Sequence, residues 1–160
     1  MQTTIGCTSR PYNKLGYAEA YARIAAAGYT DVAVFANDGQ IPVRSDSSAA
    51  EVAAVRAAAA AEGLIPSMLL GRTKLDGSVE EAVDDYRRLI GHAAELGVRY
   101  LLDLGTGDED RFDLYFELMR RVAPDAAAAD IGISMKPHGG ISLTSENLLA
   151  VHAKVDHPAF

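Results

Sequence analysis

The stretch HAAELGVRYLLDLG, residues 92–105, runs a helical end through a glycine into a short apolar segment. Three other stretches do the same: RIAAAGYTDVAVFA (23–36), AAAAAEGLIPSMLL (57–70) and APDAAAADIGISMK (123–136). Gly28, Gly63, Gly97 and Gly132 stand at steps of 35, 34 and 35 residues. A constant step of this size marks one supersecondary unit used repeatedly. The first three glycines suit helix C-caps, where the chain enters the left-handed region. Gly132 falls inside its apolar segment, so Asp130 takes the turning role there.

The helices between these segments have their own signals. Ser48 precedes Glu51 by three residues, and Ser78 precedes Glu81 likewise, which is the capping-box spacing that satisfies orphan amides at a helix start. Val79, Ala82, Val83, Tyr86, Leu89, Ile90, Ala93 and Leu96 recur on one helical face, as do Phe112, Tyr115, Phe116, Met119 and Val122. The segments DVAVFA, LIPSMLL, RYLLDLG and IGISM are nearly continuous in hydrophobicity, the pattern of parallel strands covered on both faces. With a first strand at Thr3 to Thr8 and a last helix at Ser145 to Val155, the chain reads as βα repeated five times in one α/β domain over residues 1–160.

Two architectures share this pattern. A doubly wound, flavodoxin-like sheet is complete with five units, whereas an eight-unit TIM barrel takes typically about 250 residues. Length favours the first. The phase of the repeat favours the second, because HPAF (157–160) reads as the exit from a fifth helix into a sixth strand.

Composition bounds the chemistry. With 49% hydrophobic and 23% charged residues the chain is that of a soluble globular protein, and its formal charge of −7 disfavours a nucleic-acid partner. No apolar run approaches the roughly 18 residues that span a bilayer, and the N-terminus lacks the pattern of a secretory signal. The single cysteine, Cys7, cannot form an internal disulfide, so the expected setting is cytoplasmic. Cys7 has no histidine beside it in sequence and reads as a packing residue.

In a parallel βα fold the ligand side lies where strands end. His138, in SMKPHGGIS (134–142), can ligate a metal through a neutral imidazole or act as acid or base; its plain alternative is a turn histidine held by a carbonyl. Lys136 can hold a carboxylate or phosphate or steady an enediolate oxyanion; its alternative is a strand-end ion pair with Asp103. Asp103 lies among leucines and needs a partner, so it faces either the barrel interior near Lys136 or water at the strand mouth. Arg72 and Lys74 follow the third strand, and Asn37 and Asp38 follow the second; each pair is a candidate for substrate contact set against a solvated loop. Gly139 and Gly140 allow backbone approach to a bound oxygen, and a tight turn uses them equally. GTGD (105–108) is neither a P-loop nor a complete G-x-G-x-x-G. His92, His152 and His157 read as surface or packing residues.

MKPHGGISLTSENLLAVHAKVDHPAF (135–160), together with RYLLDLGTG (99–107) and GCTSRPY (6–12), resembles the xylose-isomerase-like barrel superfamily of sugar-phosphate isomerases and epimerases, which also holds endonuclease-IV-type phosphodiesterases. The resemblance implies a (βα)8 barrel with a divalent metal, Mn, Mg, Co or Zn, at the C-terminal strand ends, and a sugar or sugar phosphate as substrate. With the strand-end positions, this leaves Lys136 and His138 as the catalytic candidates, His138 as the expected metal ligand, and Asn37, Arg72 and Asp103 as the expected substrate-binding residues. Two departures stand out: Lys136 lies where a glutamate is expected, and strands six to eight are missing. The expectation is therefore an incomplete barrel of about five units, part of an isomerase or epimerase and inactive alone. Its open strand edges should make it self-associate as a homo-oligomer. The acidic surface and few strand-end histidines disfavour phosphodiester hydrolysis. The rival reading is a non-enzymatic α/β module with KPHGG as a recognition turn for an anion or a partner protein.

Overall fold

Five parallel strands lie side by side in chain order: β1 (Cys7–Thr8), β2 (Asp31–Val34), β3 (Ile65–Leu70), β4 (Tyr100–Asp103) and β5 (Gly132–Met135). The computed structural model describes residues 5–160, so Thr3 and Thr4 of the expected first strand lie outside the described residues. Helices α1 (Tyr17–Ala26), α2 (Ala49–Ala61), α3 (Val79–Leu96) and α4 (Phe112–Ala128) make the crossovers, and α5 (Ser145–Val155) follows β5. A doubly wound sheet reverses its strand order at a switch point. Here the order never reverses, so the flavodoxin-like alternative is overturned and the sheet is the open arc of a TIM barrel.

Strand register sorts the side chains by face, since paired residues of a parallel sheet share a side. Val34, Leu69, Leu101 and Ile133 form one such row, each no more than 3% exposed under the helix layer. The adjacent row of Ala33, Met68, Tyr100 and Gly132 lies on the other face, where Tyr100 is 50% exposed. The apolar strands thus suit cover on both sides, but the helices supply it on one. Beyond β5, the Ile133 amide donates to the Ala159 carbonyl at 2.6 Å, so the HPAF segment lies along the outer edge of β5 as the phase of the repeat predicts.

The punctuation sits where the repeat places it. Gly28, Gly63 and Gly97 adopt φ of 90°, 68° and 87°, and Asp130 does the turning before β5 at φ 56°. Both capping boxes form, Ser48 with Glu51 and Ser78 with Glu81. The expected apolar faces of α3 and α4 supply the buried core, with Tyr86 and Tyr115 among its largest fully enclosed side chains.

Candidate functional site

Beyond the C-terminal ends of β3, β4 and β5 the loops enclose a cavity of about 400 Å³. Arg72 and Thr73 from the loop after β3, Asp103 and Leu104 at the end of β4, and His138 after β5 line it. Five glycines, Gly71, Gly105, Gly107, Gly139 and Gly140, complete the wall. Three of the expected site residues, Arg72, Asp103 and His138, are thus brought together.

Lys136 and Asn37 are placed elsewhere. The Lys136 amide extends the ladder by donating to the Asp103 carbonyl at 2.8 Å. Strand alternation after Met135, which pairs with Asp103, then turns the Lys136 side chain to the open face, opposite the Asp103 carboxylate. Asn37 is 5% exposed and lines a different cleft, of about 430 Å³, between α1 and α2. It sits there because a tight turn pairs it with Gln40, and the Asp38 amide pins that turn to the Leu15 carbonyl at 3.1 Å. Asn37 Nδ2 donates to the Tyr12 carbonyl at 3.3 Å, while Oδ1 has no protein partner among the described residues.

Asp103 occupies neither of the two settings read from the sequence. Leu101 of the same strand faces the helices, so Asp103 two residues on does too, and it is 1% exposed. The Tyr115 hydroxyl donates to Oδ1 at 2.9 Å, the Gly105 amide to Oδ1 at 2.8 Å, and the Tyr86 hydroxyl to Oδ2 at 3.3 Å. Burial pushes the carboxyl up to about 6 from its usual 3.8, against the pull of the Gly105 amide and the two phenols. The same burial and the facing carboxylate raise both tyrosines well above their ordinary value. Tyr86 and Tyr115 are the residues that sequence reasoning missed. The signal was present: two tyrosines on the buried faces of flanking helices need acceptors, and an acid among leucines needs donors.

The loops after β4 and β5 are locked together. The Ile141 amide donates to the Thr106 carbonyl at 3.0 Å, and the buried Ser142 hydroxyl donates to the Leu104 carbonyl at 3.0 Å. Ser142 Oγ also accepts from the His138 amide at 3.2 Å, which sets the backbone of His138 relative to β4. Gly140 lies so close to the Thr106 carbonyl and the Gly107 backbone that a side chain has no room. Chemically, the site presents an exposed imidazole, a guanidinium and a run of backbone amides over a buried, hydrogen-bonded acid.

The implied divalent metal does not fit this donor set. Among the described residues no three His, Cys, Asp or Glu side chains gather as a cage. His138 is one possible ligand, but among the described residues the only acid lining the cavity is Asp103, whose oxygens already accept three hydrogen bonds.

Solved structures share this architecture. A xylose isomerase-like TIM barrel protein from Mycobacterium smegmatis, in complex with magnesium, superposes with a TM-score of 0.74 at 18% identity over 98% of this chain and 62% of its own. D-psicose 3-epimerase in the presence of D-fructose gives 0.70 at 12% identity, covering 98% and 61%. The probable 3-DHS dehydratase AsbF from Bacillus anthracis gives 0.71 at 9%, also covering 98% and 61%. The chain thus spans about three-fifths of the length of these relatives, and at such identities the likeness is one of fold. No curated protein sequence matches it. Residues 21–160 match the family described as xylose isomerase-like TIM barrel, and with the sequential parallel sheet this shows that the chain belongs to that family.

Proposed function

We propose that this chain forms the first part of a (βα)8 enzyme that isomerises or epimerises a small polyhydroxylated carbonyl compound, with the cavity over β3, β4 and β5 as part of its active site. The observation that carries the reading is the convergence of His138 and Arg72 on one cavity at the C-terminal strand ends, the position where barrel enzymes do their chemistry. In this reading His138 moves the proton on the carbon next to the carbonyl. Arg72 and, from the open face, Lys136 stabilise the negative charge that develops on the enediolate oxygen. Asp103 supports the wall from below, and Asn37 stands apart in its own cleft.

The test is a screen of ketoses and aldoses in D2O with the polypeptide that carries these residues in a closed barrel, read by deuterium incorporation next to the carbonyl. His138→Ala should lower exchange about a hundredfold, the lower end of what a positioned acid–base contributes. Exchange at the unaltered rate in that variant would remove His138 from the chemistry. As a second proposal, the open face with Tyr100 and Ile65, 50% and 61% exposed, is covered by a second copy when the 160-residue chain is studied alone. Sedimentation should then show a dimer or larger species that dissociates on dilution. A monomer at all concentrations overturns this.

A further inference from the structure

We infer that the cleft between α1 and α2 is a second binding site, separate from the cavity over β3, β4 and β5, and that it takes a primary ammonium group on a short aliphatic stem. The acceptors are Asn37 Oδ1 and the carboxylates of Asp38 and Glu51, and Tyr17, Pro42 and Val55 supply the apolar part of the lining.

The first argument is the orphaned oxygen of Asn37. The residue is 5% exposed and lines the cleft. Its backbone amide donates to the Gln40 carbonyl at 2.7 Å, its carbonyl accepts from the Gln40 amide at 3.0 Å, and Nδ2 donates to the Tyr12 carbonyl at 3.3 Å. The opposite orientation of the side-chain amide would set two acceptors against each other, so Tyr12 fixes which atom is the oxygen. Oδ1 is thus the polar atom of Asn37 left without a partner among the described residues. An enclosed acceptor in that condition is costly, and it marks the place of a donor.

The second argument is charge. Asp38, the next residue, makes no ion pair among the described residues. Glu51 Oε2 accepts from the Ser48 amide at 2.7 Å and from its hydroxyl at 2.9 Å, while Oε1 has no such bond. Arg44 also lines the cleft, but its guanidinium is spent on Asp46 at 3.0 Å and on the Ile41 carbonyl at 3.2 Å. The lining therefore carries negative charge that no cation of the chain offsets. Two exposed acids alone would be a solvated rim; the buried, unpaired Asn37 beside them turns the rim into a site for a ligand that only donates.

The class of cation follows from the rest of the lining. A divalent ion takes about six or more oxygen ligands, and Tyr17, Pro42 and Val55 present hydrocarbon instead. A primary ammonium has three donors and no acceptor, its stem lies readily on apolar surface, and the face of a tyrosine ring attracts its charge. The cleft volume of about 430 Å³ suits a small molecule or one side chain.

The experiment is an amide NMR titration of the chain at constant ionic strength, with n-butylammonium as the free amine and Nα-acetyl-lysine N-methylamide standing for a lysine of another polypeptide. Saturable shifts should be confined to the Asn37 side-chain amide and the backbone amides of Asp38, Gln40 and Val55. Tetramethylammonium, which has the charge but no N–H, should cause none. Tighter binding of n-butylammonium assigns a free amine and tighter binding of the capped lysine assigns a protein side chain, and either result supports the site. Asparagine adopts the left-handed φ of 48° found at Asp38, so Asp38→Asn removes the charge and keeps the turn. It should weaken binding at least about tenfold, as loss of a charge-assisted hydrogen bond does. Asp130→Asn removes an equal charge at φ 56° before β5, at the opposite end of the sheet, and should leave the affinity unchanged. No saturation with either amine, equal shifts with tetramethylammonium, or Asp38→Asn binding as tightly as Asp130→Asn would each overturn the inference.

Discussion

Asp103→Ala should destabilise the chain by about 3 kcal/mol at pH 7, whereas Asp103→Asn should stabilise it relative to the parent at that pH and cost stability near pH 4. The alanine variant strands two buried phenols and the Gly105 amide without an acceptor. Each such group costs about 1–3 kcal/mol, partly offset because a charge is no longer buried. Asparagine keeps the shape and an acceptor oxygen for Tyr115 and Gly105, and removes the ionisation. The carboxyl titrates at about 6 when folded against its usual 3.8, so the folded state holds the proton more tightly than the unfolded chain. That stabilisation is fully present below about pH 4 and is lost as pH rises through about 6, amounting to about 3 kcal/mol. Urea unfolding of the parent and Asp103→Asn at half-unit steps from pH 4 to pH 8 should show their difference moving by that amount and levelling off above pH 6. A constant difference across the range would mean that Asp103 is not the buried acid described here. The consequence reaches the site, because Asp103 also holds Gly105, in the loop that packs against the His138 turn.

Why did the repeat read so clearly in sequence and the site only in part? Helix ends and caps are local: Gly97 and Asp130 need only their own backbone angles, and Ser78 needs only Glu81. The direction in which a strand residue faces is not local when the strand is apolar throughout. YLLD offers no alternation, so nothing in it tells that Leu101 and Asp103 share the helix side. That phase is set by the row through Val34, Leu69, Leu101 and Ile133, a property of four strands at once. Lys136 and His138, two residues apart, part company for the same reason, one following the pleat and the other a turn tied down by Ser142. Asn37 was placed at a strand end correctly, but the bond from Asp38 to Leu15 that turns its loop away spans more than twenty residues and leaves no mark in the composition of either segment. Strand order, too, was not readable from length, and only the sequential pairing separates an arc of a barrel from a doubly wound sheet.

Gly140→Ala should cost about 3 kcal/mol or more, while Gly139→Ala, its immediate neighbour, should cost less than about 1 kcal/mol. Two separate penalties fall on Gly140. Its φ of 51° lies in the left-handed region, which charges a residue bearing Cβ about 1–2 kcal/mol. In addition, the new carbon would overlap the Thr106 carbonyl oxygen and Gly107 Cα, both backbone atoms with no rotamer through which to withdraw. Relief requires the β4 and β5 loops to separate, which breaks the bonds from Ile141 to Thr106 and from Ser142 to Leu104. Gly139 has an extended backbone at φ 176° and open space before it, so neither penalty applies. Gly105→Ala should fall between the two: its φ is 71°, but the clash is with Cγ2 of Ile141, a side-chain atom rather than backbone. Thermal and urea unfolding of the three variants checks the order, and amide exchange at Ile141 reports the loop contact directly. Exchange there should quicken sharply in Gly140→Ala and stay unchanged in Gly139→Ala. Equal stability in those two variants would mean that the two loops do not meet at Gly140, and the cavity that contains His138 would lose the wall that defines it.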